Sequence, residues 1–201
     1  MTSFDFTKDI VLEDTVVLLR PLAHEDFEHL IYFSVHEPDT WKYSAVQARG
    51  EAGLKNYLKM ALDTKAAKTA YPFIVYDKRQ NKYAGSTRFY AIDVANNTLH
   101  IGATWYGKDF QGTGLNKHCK FLLLQFAFET LEVERVEFRA DSTNARSIAG
   151  MKSIGCTVEG ILRNDLNPTN GANRRSSIIL SILKEEWLSH VKNNLAKKIT
   201  G

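Results

Sequence analysis

Thr104–Phe128, TWYGKDFQGTGLNKHCKFLLLQFAF, decides how the rest of the chain is read. An apolar, aromatic run stops at a glycine-rich turn, Gln111-Gly112-Thr113-Gly114-Leu115-Asn116. Leu115, Cys119, Leu122, Leu123 and Phe126 then recur at three- and four-residue spacing, which predicts a helix beginning at the turn. A helix start carries unpaired backbone N–H groups and the positive end of the helix dipole, so an anion is favoured there. The expectation is a seat for a phosphate or pyrophosphate. The plain alternative is a tight strand-to-helix turn with no ligand. Two phosphate loops are excluded. Gly114 is followed by Leu115 and Asn116 rather than Lys-Ser/Thr, and no third glycine completes G-x-G-x-x-G.

Outward from this segment, Val16–Arg20 reads as a strand stopped by Pro21, and His24–Val35 as a helix opened by acids. Glu51–Ala67 places Leu54, Tyr57, Leu58, Ala61 and Leu62 on one helix face. Tyr71–Asp77 and Tyr83–Ile92 flank the turn Lys78–Lys82 as a hairpin, and Leu99–Tyr106 is the next strand after Asn96-Asn97. Arg135–Asp141 alternates as a strand. Asn144–Ile154 is a short helix closed by Gly155. Thr157–Arg163 and Ser176–Leu183 are strands around a polar turn, Asn164–Arg175, containing Pro168, Asn170 and Gly171, and Glu185–Leu195 is a terminal helix. The order β-αα-βββ-α-β-α-ββ-α predicts an α/β (α+β) chain with about seven strands in a mostly antiparallel sheet, not a doubly wound parallel one.

A chain of 201 residues suits a single domain spanning 1–201. No stretch approaches the ~20 apolar residues of a membrane helix. The N-terminus has no basic-then-apolar leader, so a cytoplasmic protein with no membrane partner is expected. Two cysteines, Cys119 and Cys156, read as small buried hydrophobes in a reducing compartment. The net charge is +3 with the signs interspersed, which argues against a nucleic-acid partner. The six histidines lack ligand spacing, so no metal is expected.

Gln111–Asn116 and its helix resemble the acetyl-CoA pyrophosphate loop of the GNAT superfamily of N-acetyltransferases, whose pattern is Gln/Arg-x-x-Gly-x-Gly/Ala. Gln111 and Gly114 match, and Asn116 stands where Gly or Ala is usual. Arg20-Pro21-Leu22, Asp141–Ser147 with its Asn-x-x-Ser, Ser153–Arg163 and Ile178–Trp187 resemble the RimJ/RimL-like branch, in the same order and over nearly the whole chain. Cys156 replaces a usual Phe.

The resemblance implies a GNAT fold, its sheet splayed between the fourth and fifth strands, and acetyl-CoA as co-substrate without a metal. It implies transfer of an acetyl group to a primary amine, a protein N-terminus or a small molecule. Cofactor contacts fall on Ala103, Thr104 and Trp105, where the pantetheine would lie as an added strand, on Gln111, Gly112, Thr113, Gly114, Leu115 and Asn116, and on Asn144. Lys117 is a neighbour that could add charge. Ser147 is the candidate acid for the departing thiolate. Its alternative is a first-turn residue of a helix capped by Asn144. His100 occupies the place where related chains often carry a Glu base, and imidazole titrates near neutrality. A solvated His100 is the alternative. Glu159 is a second candidate base, or a carboxylate holding Arg163.

Trp41, Tyr43, Tyr90, Trp105 and Tyr106 are candidates for an amine-binding wall. The His24–Ala67 helices and the Asn164–Arg175 turn shape acceptor choice in such enzymes. Neither carries an acidic patch that would call for a polyamine, Glu37 and Asp39 being nearest to one. The branch is also compatible with a homodimer. A different class of reading is a GNAT-fold protein that binds acyl-CoA as a sensor or scaffold and does no chemistry. A nucleotide-binding protein is disfavoured by the missing lysine motif.

Overall fold

The structure is a computed structural model that describes residues 4–44, 46–167 and 174–200. Its strands are β1 (Leu12–Glu13), β2 (Val17–Pro21), β3 (Ala70–Asp77), β4 (Lys82–Asp93), β5 (Thr98–Tyr106), β6 (Arg135–Asp141), β7 (Thr157–Leu166) and β8 (Arg175–Leu183). They form one eight-stranded sheet in the order β1-β2-β3-β4-β5-β6-β8-β7. Every neighbouring pair is antiparallel except β5–β6. The sheet has one strand more than the sequence suggests. The extra strand is β1, whose two residues are too few to leave an alternating signature. The hairpin β7–β8 runs further into the polar turn than expected, to Leu166 and from Arg175, while Pro168, Asn170 and Gly171 lie outside the described residues.

The helices are α1 (Phe27–His36), α2 (Gly50–Ala66), α3 (Leu115–Gln125), α4 (Ala145–Ser153), α5 (Lys184–Glu186) and α6 (Lys192–Thr200), with π turns at Phe126–Thr130 and Trp187–Val191. Arg20 donates to both carboxylate oxygens of buried Asp26 at 2.9 and 2.6 Å, and Ala23 N donates to Asp26 Oδ2 at 2.8 Å. This bidentate pair locks the end of β2 to the turn that opens α1. Helices cover both faces of the sheet. Trp105 packs against Phe33 of α1 and Tyr57 of α2 on one face. On the other, Phe89 stacks on Phe126 beyond α3, and Trp187 packs on Phe121 and Phe128. β3 is buried on both sides, which is why its sequence is almost continuously apolar. No helix of the described residues is long and apolar enough to cross a membrane.

The sheet opens between β5 and β6. These strands pair only at Thr98–Arg135, Leu99–Val136 and His100–Glu137. Beyond His100 each goes its own way. On the other side of β5, the register with β4 shifts between Ser86–Trp105 and Arg88–Gly102, so Ala103 and Thr104 face Thr87 alone. This is a β-bulge, and Ala103 takes its left-handed conformation at φ 46°. The extra residue bends β5 away from β6 and leaves one backbone edge of β5 unpaired in the wedge.

Candidate functional site

The glycine turn leads directly into α3 at Leu115. Gly112 and Gly114 have φ of 76° and 86°, in the region where a side chain is strained. A Cβ on either would meet no atom within 4 Å, so the requirement for glycine is the backbone conformation and the open space above it. Gly114 precedes the first residue of α3. Among the described residues, the amides of Gly112, Thr113, Gly114 and Asn116 make no hydrogen bond, and Leu115 N reaches only Thr113 Oγ1 at 3.4 Å. Four free donors at a helix start suit an anion.

Side chains brace this turn. Gln111 Nε2 donates to Tyr106 O at 2.8 Å, and Thr113 Oγ1 to Phe110 O at 2.9 Å. Asn116 is not idle, since its Oδ1 accepts from the Tyr106 hydroxyl at 3.2 Å. Two arginines that the sequence reading did not single out also join in. Arg79, on the β3–β4 turn, donates to Thr113 O at 3.2 Å. Arg146, in the first turn of α4, donates to Gln111 Oε1. Lys117 is partly exposed, and its side chain makes no hydrogen bond or ion pair among the described residues. The Arg146–Gln111 contact places the α4 start beside the glycine turn, across the wedge mouth. Asn144 caps α4, its Oδ1 accepting from Ser147 N at 3.1 Å. The Ser147 hydroxyl itself has no hydrogen-bond partner among the described residues. The cap role expected as the alternative for Asn144 is therefore present.

His100 is the last paired residue before β5 and β6 part. It is not a solvated strand residue, since its side chain is 16% exposed. Nε2 lies 3.5 Å from Glu137 Oε1, and Nδ1 is buried without a partner. The Tyr90 ring stands edge-on at 5.0 Å. Burial lowers the imidazole pKa, opposed by Glu137, so the neutral ring is favoured. Glu137 is held by Arg139 Nε at 2.7 Å and Arg135 Nη2 at 3.2 Å. Glu159 holds Arg135 and Ser181 rather than Arg163. That network commits Glu159 to the β6–β8–β7 edge.

Of the five candidate wall aromatics, Trp41, Trp105 and Tyr106 are core. Trp105 Nε1 donates to the Tyr57 hydroxyl at 3.1 Å, and that hydroxyl bonds Ser86 Oγ at 3.2 Å. Tyr43 and Tyr90 are partly exposed and remain available. Glu37 is buried and spends a carboxylate oxygen on Lys108 N at 2.7 Å, so it builds the loop before the glycine turn. Cys119 and Cys156 are free and buried, and burial pushes each thiol up to about 12, which makes them inert core groups.

Lys120 is the buried group that the sequence reading missed. It is 5% exposed, and its ammonium donates to Thr104 Oγ1 at 2.7 Å and Thr87 Oγ1 at 3.3 Å, with the Phe138 ring at 6.0 Å. Thr104 is on β5 and Phe138 on β6, so the ammonium lies on the α3 side of the wedge. No carboxylate pairs with it among the described residues, and burial lowers its pKa to about 8. Its position in an otherwise apolar helical stripe, between Cys119 and Phe121, was the available signal.

The acetyltransferase (GNAT) domain model matches residues 17–157. The chain belongs to the GNAT acetyltransferase family and is an acyltransferase by that membership. Among relatives, it is 27% identical to the Bacillus subtilis (strain 168) protein named "Putative ribosomal N-acetyltransferase YdaF", over 90% of this chain and 97% of that one. That name agrees with the RimJ/RimL-like resemblance. A GCN5-related N-acetyltransferase from Brucella melitensis superposes with a TM-score of 0.86 at 24% identity, covering 96% of this chain and 86% of the other. The Microcin C7 self immunity acetyltransferase MccE, solved with acetyl-CoA and AMP, superposes with a TM-score of 0.74 at 24% identity, covering 85% and 93%. These two structures speak for the fold.

Proposed function

We propose that this protein is an acetyl-CoA-dependent N-acetyltransferase that modifies a primary amine by direct attack on the thioester. The observation that carries this reading is the set of free amides at Gly112, Thr113, Gly114 and Asn116 beside the unpaired edge of β5. The amides suit a diphosphate, and the β5 edge at Ala103–Trp105 suits the amide-bearing pantetheine arm. Arg79, Arg146 and Lys117 add positive charge around the same turn. MccE's co-structure with acetyl-CoA supports the same ligand here by likeness of fold.

Bound acetyl-CoA supplies the activated acyl group. His100 Nδ1, neutral and unpartnered, takes the proton of the attacking amine, directly or through water. A backbone N–H of β5 polarises the acetyl carbonyl. Ser147 donates its hydroxyl proton to the departing sulfur and regains one from solvent. His100 stands where β5 and β6 part, and Ser147 stands in the first turn of α4, which follows β6. One sheet carries all the strands, which supports a single GNAT domain over 1–201. The open edge of β7, with Val158, Ile161, Leu162 and Leu166 exposed, supports pairing with a second copy.

The test is thiol release from acetyl-CoA over a panel of amines, beside calorimetric titration with acetyl-CoA, CoA and ATP. Amine-dependent release above hydrolysis is expected. Tight acetyl-CoA binding with no release for any amine would assign the fold to a sensor or scaffold, and preference for ATP would remove the GNAT reading of the site.

A further inference from the structure

The sheet face that carries α1 and α2 holds, around His100, a group of polar side chains to which the transfer chemistry gives no role. Strand alternation and register place Arg88 and Tyr90 of β4, His100 and Gly102 of β5, Glu137, Arg139 and Asp141 of β6, and Ser177 and Arg175 of β8 on this one face. Tyr90 lies over Gly102, whose added Cβ would meet the Tyr90 ring at 2.8 Å. Tyr90 stands opposite His100, and His100 opposite Glu137, so this row crosses the sheet where β5 and β6 part.

This basin is short of acceptors. Seven buried side-chain N or O atoms lack a hydrogen-bond partner among the described residues, and four of them are Arg88 Nε, His100 Nδ1, Arg175 Nε and Ser177 Oγ. The two Nε atoms can only donate, and the hydroxyl can donate. Nearby carboxylates are already engaged. Glu137 binds Arg139 and Arg135, and Asp141 Oδ1 accepts from Thr143 N and Oγ1. Asp141 Oδ2 forms an ion pair with Arg175 Nε at 3.7 Å, too long for a hydrogen bond. Arg88 has no hydrogen bond or ion pair among the described residues. Its guanidinium lies over the Tyr57 ring, 5.4 Å from the centroid, and Arg175 donates to Tyr43 O at 3.2 Å. Both forks are thus positioned before any ligand arrives. Leaving buried donors unsatisfied costs about 1–3 kcal/mol each, so these donors call for a partner from outside the chain, water or a ligand.

Resting on the acetyltransferase reading, we infer that the acceptor is an amine carrying a carboxylate close to its nitrogen, seated by Arg88 and Arg175 with the amine turned to His100. A planar carboxylate matches the guanidinium fork and brings only acceptor atoms, which is what this basin lacks. A polyamine would add donors and positive charge to a region that already has both in excess.

The experiment compares kcat/KM for α-amino acids, their carboxamides and the matching 1-aminoalkyl phosphonates, in wild type, Arg88→Gln and Arg88→Lys. Direct binding of N-acetyl amino acids and their amides to the protein with CoA is measured in parallel by calorimetry. The carboxylate member of each pair is expected to lead by at least about tenfold, the worth of one charge-assisted hydrogen bond. Arg88→Gln should erase that lead and Arg88→Lys should keep part of it. Equal binding of acid and amide, a lead unaffected by Arg88→Gln, or a stronger phosphonate would each overturn the carboxylate assignment. Absence of turnover with every amine would instead strike the acetyltransferase reading, because the binding comparison still decides this one. Unchanged thermal unfolding of Arg88→Lys separates loss of recognition from loss of fold.

Discussion

The two ends of the wedge are built from different materials. The glycine turn before α3 presents backbone amides, and its side chains are turned inward to brace it, as with Gln111 on Tyr106 O and Asn116 on the Tyr106 hydroxyl. The basin on the opposite face presents side chains from β4, β5, β6 and β8. A backbone site tolerates many neighbours but not a changed φ. A side-chain site tolerates a changed neighbour only if the charge and the hydrogen-bond inventory survive. The first suits an invariant ligand such as a diphosphate, and the second suits discrimination between acceptors.

The sharpest way to break this contrast is Gly114→Trp. A bulky residue at φ 86° covers the free amides, and loss of two charge-assisted bonds at about 2 kcal/mol each weakens acetyl-CoA binding by about 10³-fold. Calorimetry that finds binding intact would show that the turn is not the diphosphate seat. His100→Gln addresses the other end. It should lower kcat/KM by about 10²-fold while leaving acetyl-CoA affinity unchanged. Because burial depresses the His100 pKa, the wild-type acid limb should fall at lower pH than a free imidazole's, and the variant should lose that limb. A pH–rate profile of unchanged shape removes His100 as the base. Ser147→Ala is expected to reduce kcat by about tenfold or more with little change in Kd for acetyl-CoA, read by single-turnover kinetics.

Lys120 lies between the two regions and sharpens the comparison through stability. Its folded pKa, about 8, is below the usual lysine value of 10.5, so the unfolded chain binds the extra proton between those pH values. Stability conferred at this site therefore rises as pH climbs from about 8 to 10.5, by on the order of 3 kcal/mol. The measurement is the difference in urea unfolding between wild type and Lys120→Met across that range, which cancels the other groups that titrate there. A flat difference curve would mean that the ammonium is paired or hydrated. The smallest expected effect is Arg146→Ala, which frees Gln111 and should weaken acetyl-CoA binding several-fold, as for the loss of one exposed contact.

Much of the fold was legible because helix and strand periods are local. The Leu115–Phe126 stripe, the β3–β4 hairpin and the Gly155 stop all stand where their spacing puts them. β1 was not legible, being two residues long, and neither was the bulge at Ala103, which nothing in Gly102-Ala103-Thr104 announces. In the candidate site, Gln111–Asn116 could be read because glycine reports a backbone need directly. Arg88 and Arg175 could not, because a lone basic residue in a sequence looks the same whether it is solvated or buried, and Lys120 was marked only by its place in an apolar helical stripe.

The order of elements, the glycine turn and the Asn144 cap were determined by the chain itself, since each is set by residues within a turn or two of one another. Tertiary structure alone decided that β5 and β6 part after His100, that Arg146 reaches Gln111, and that Arg88 and Arg175, on strands far apart in the chain, stand on one face of the sheet. Those arrangements join residues far apart in sequence, and only the closing of the sheet fixes their distances.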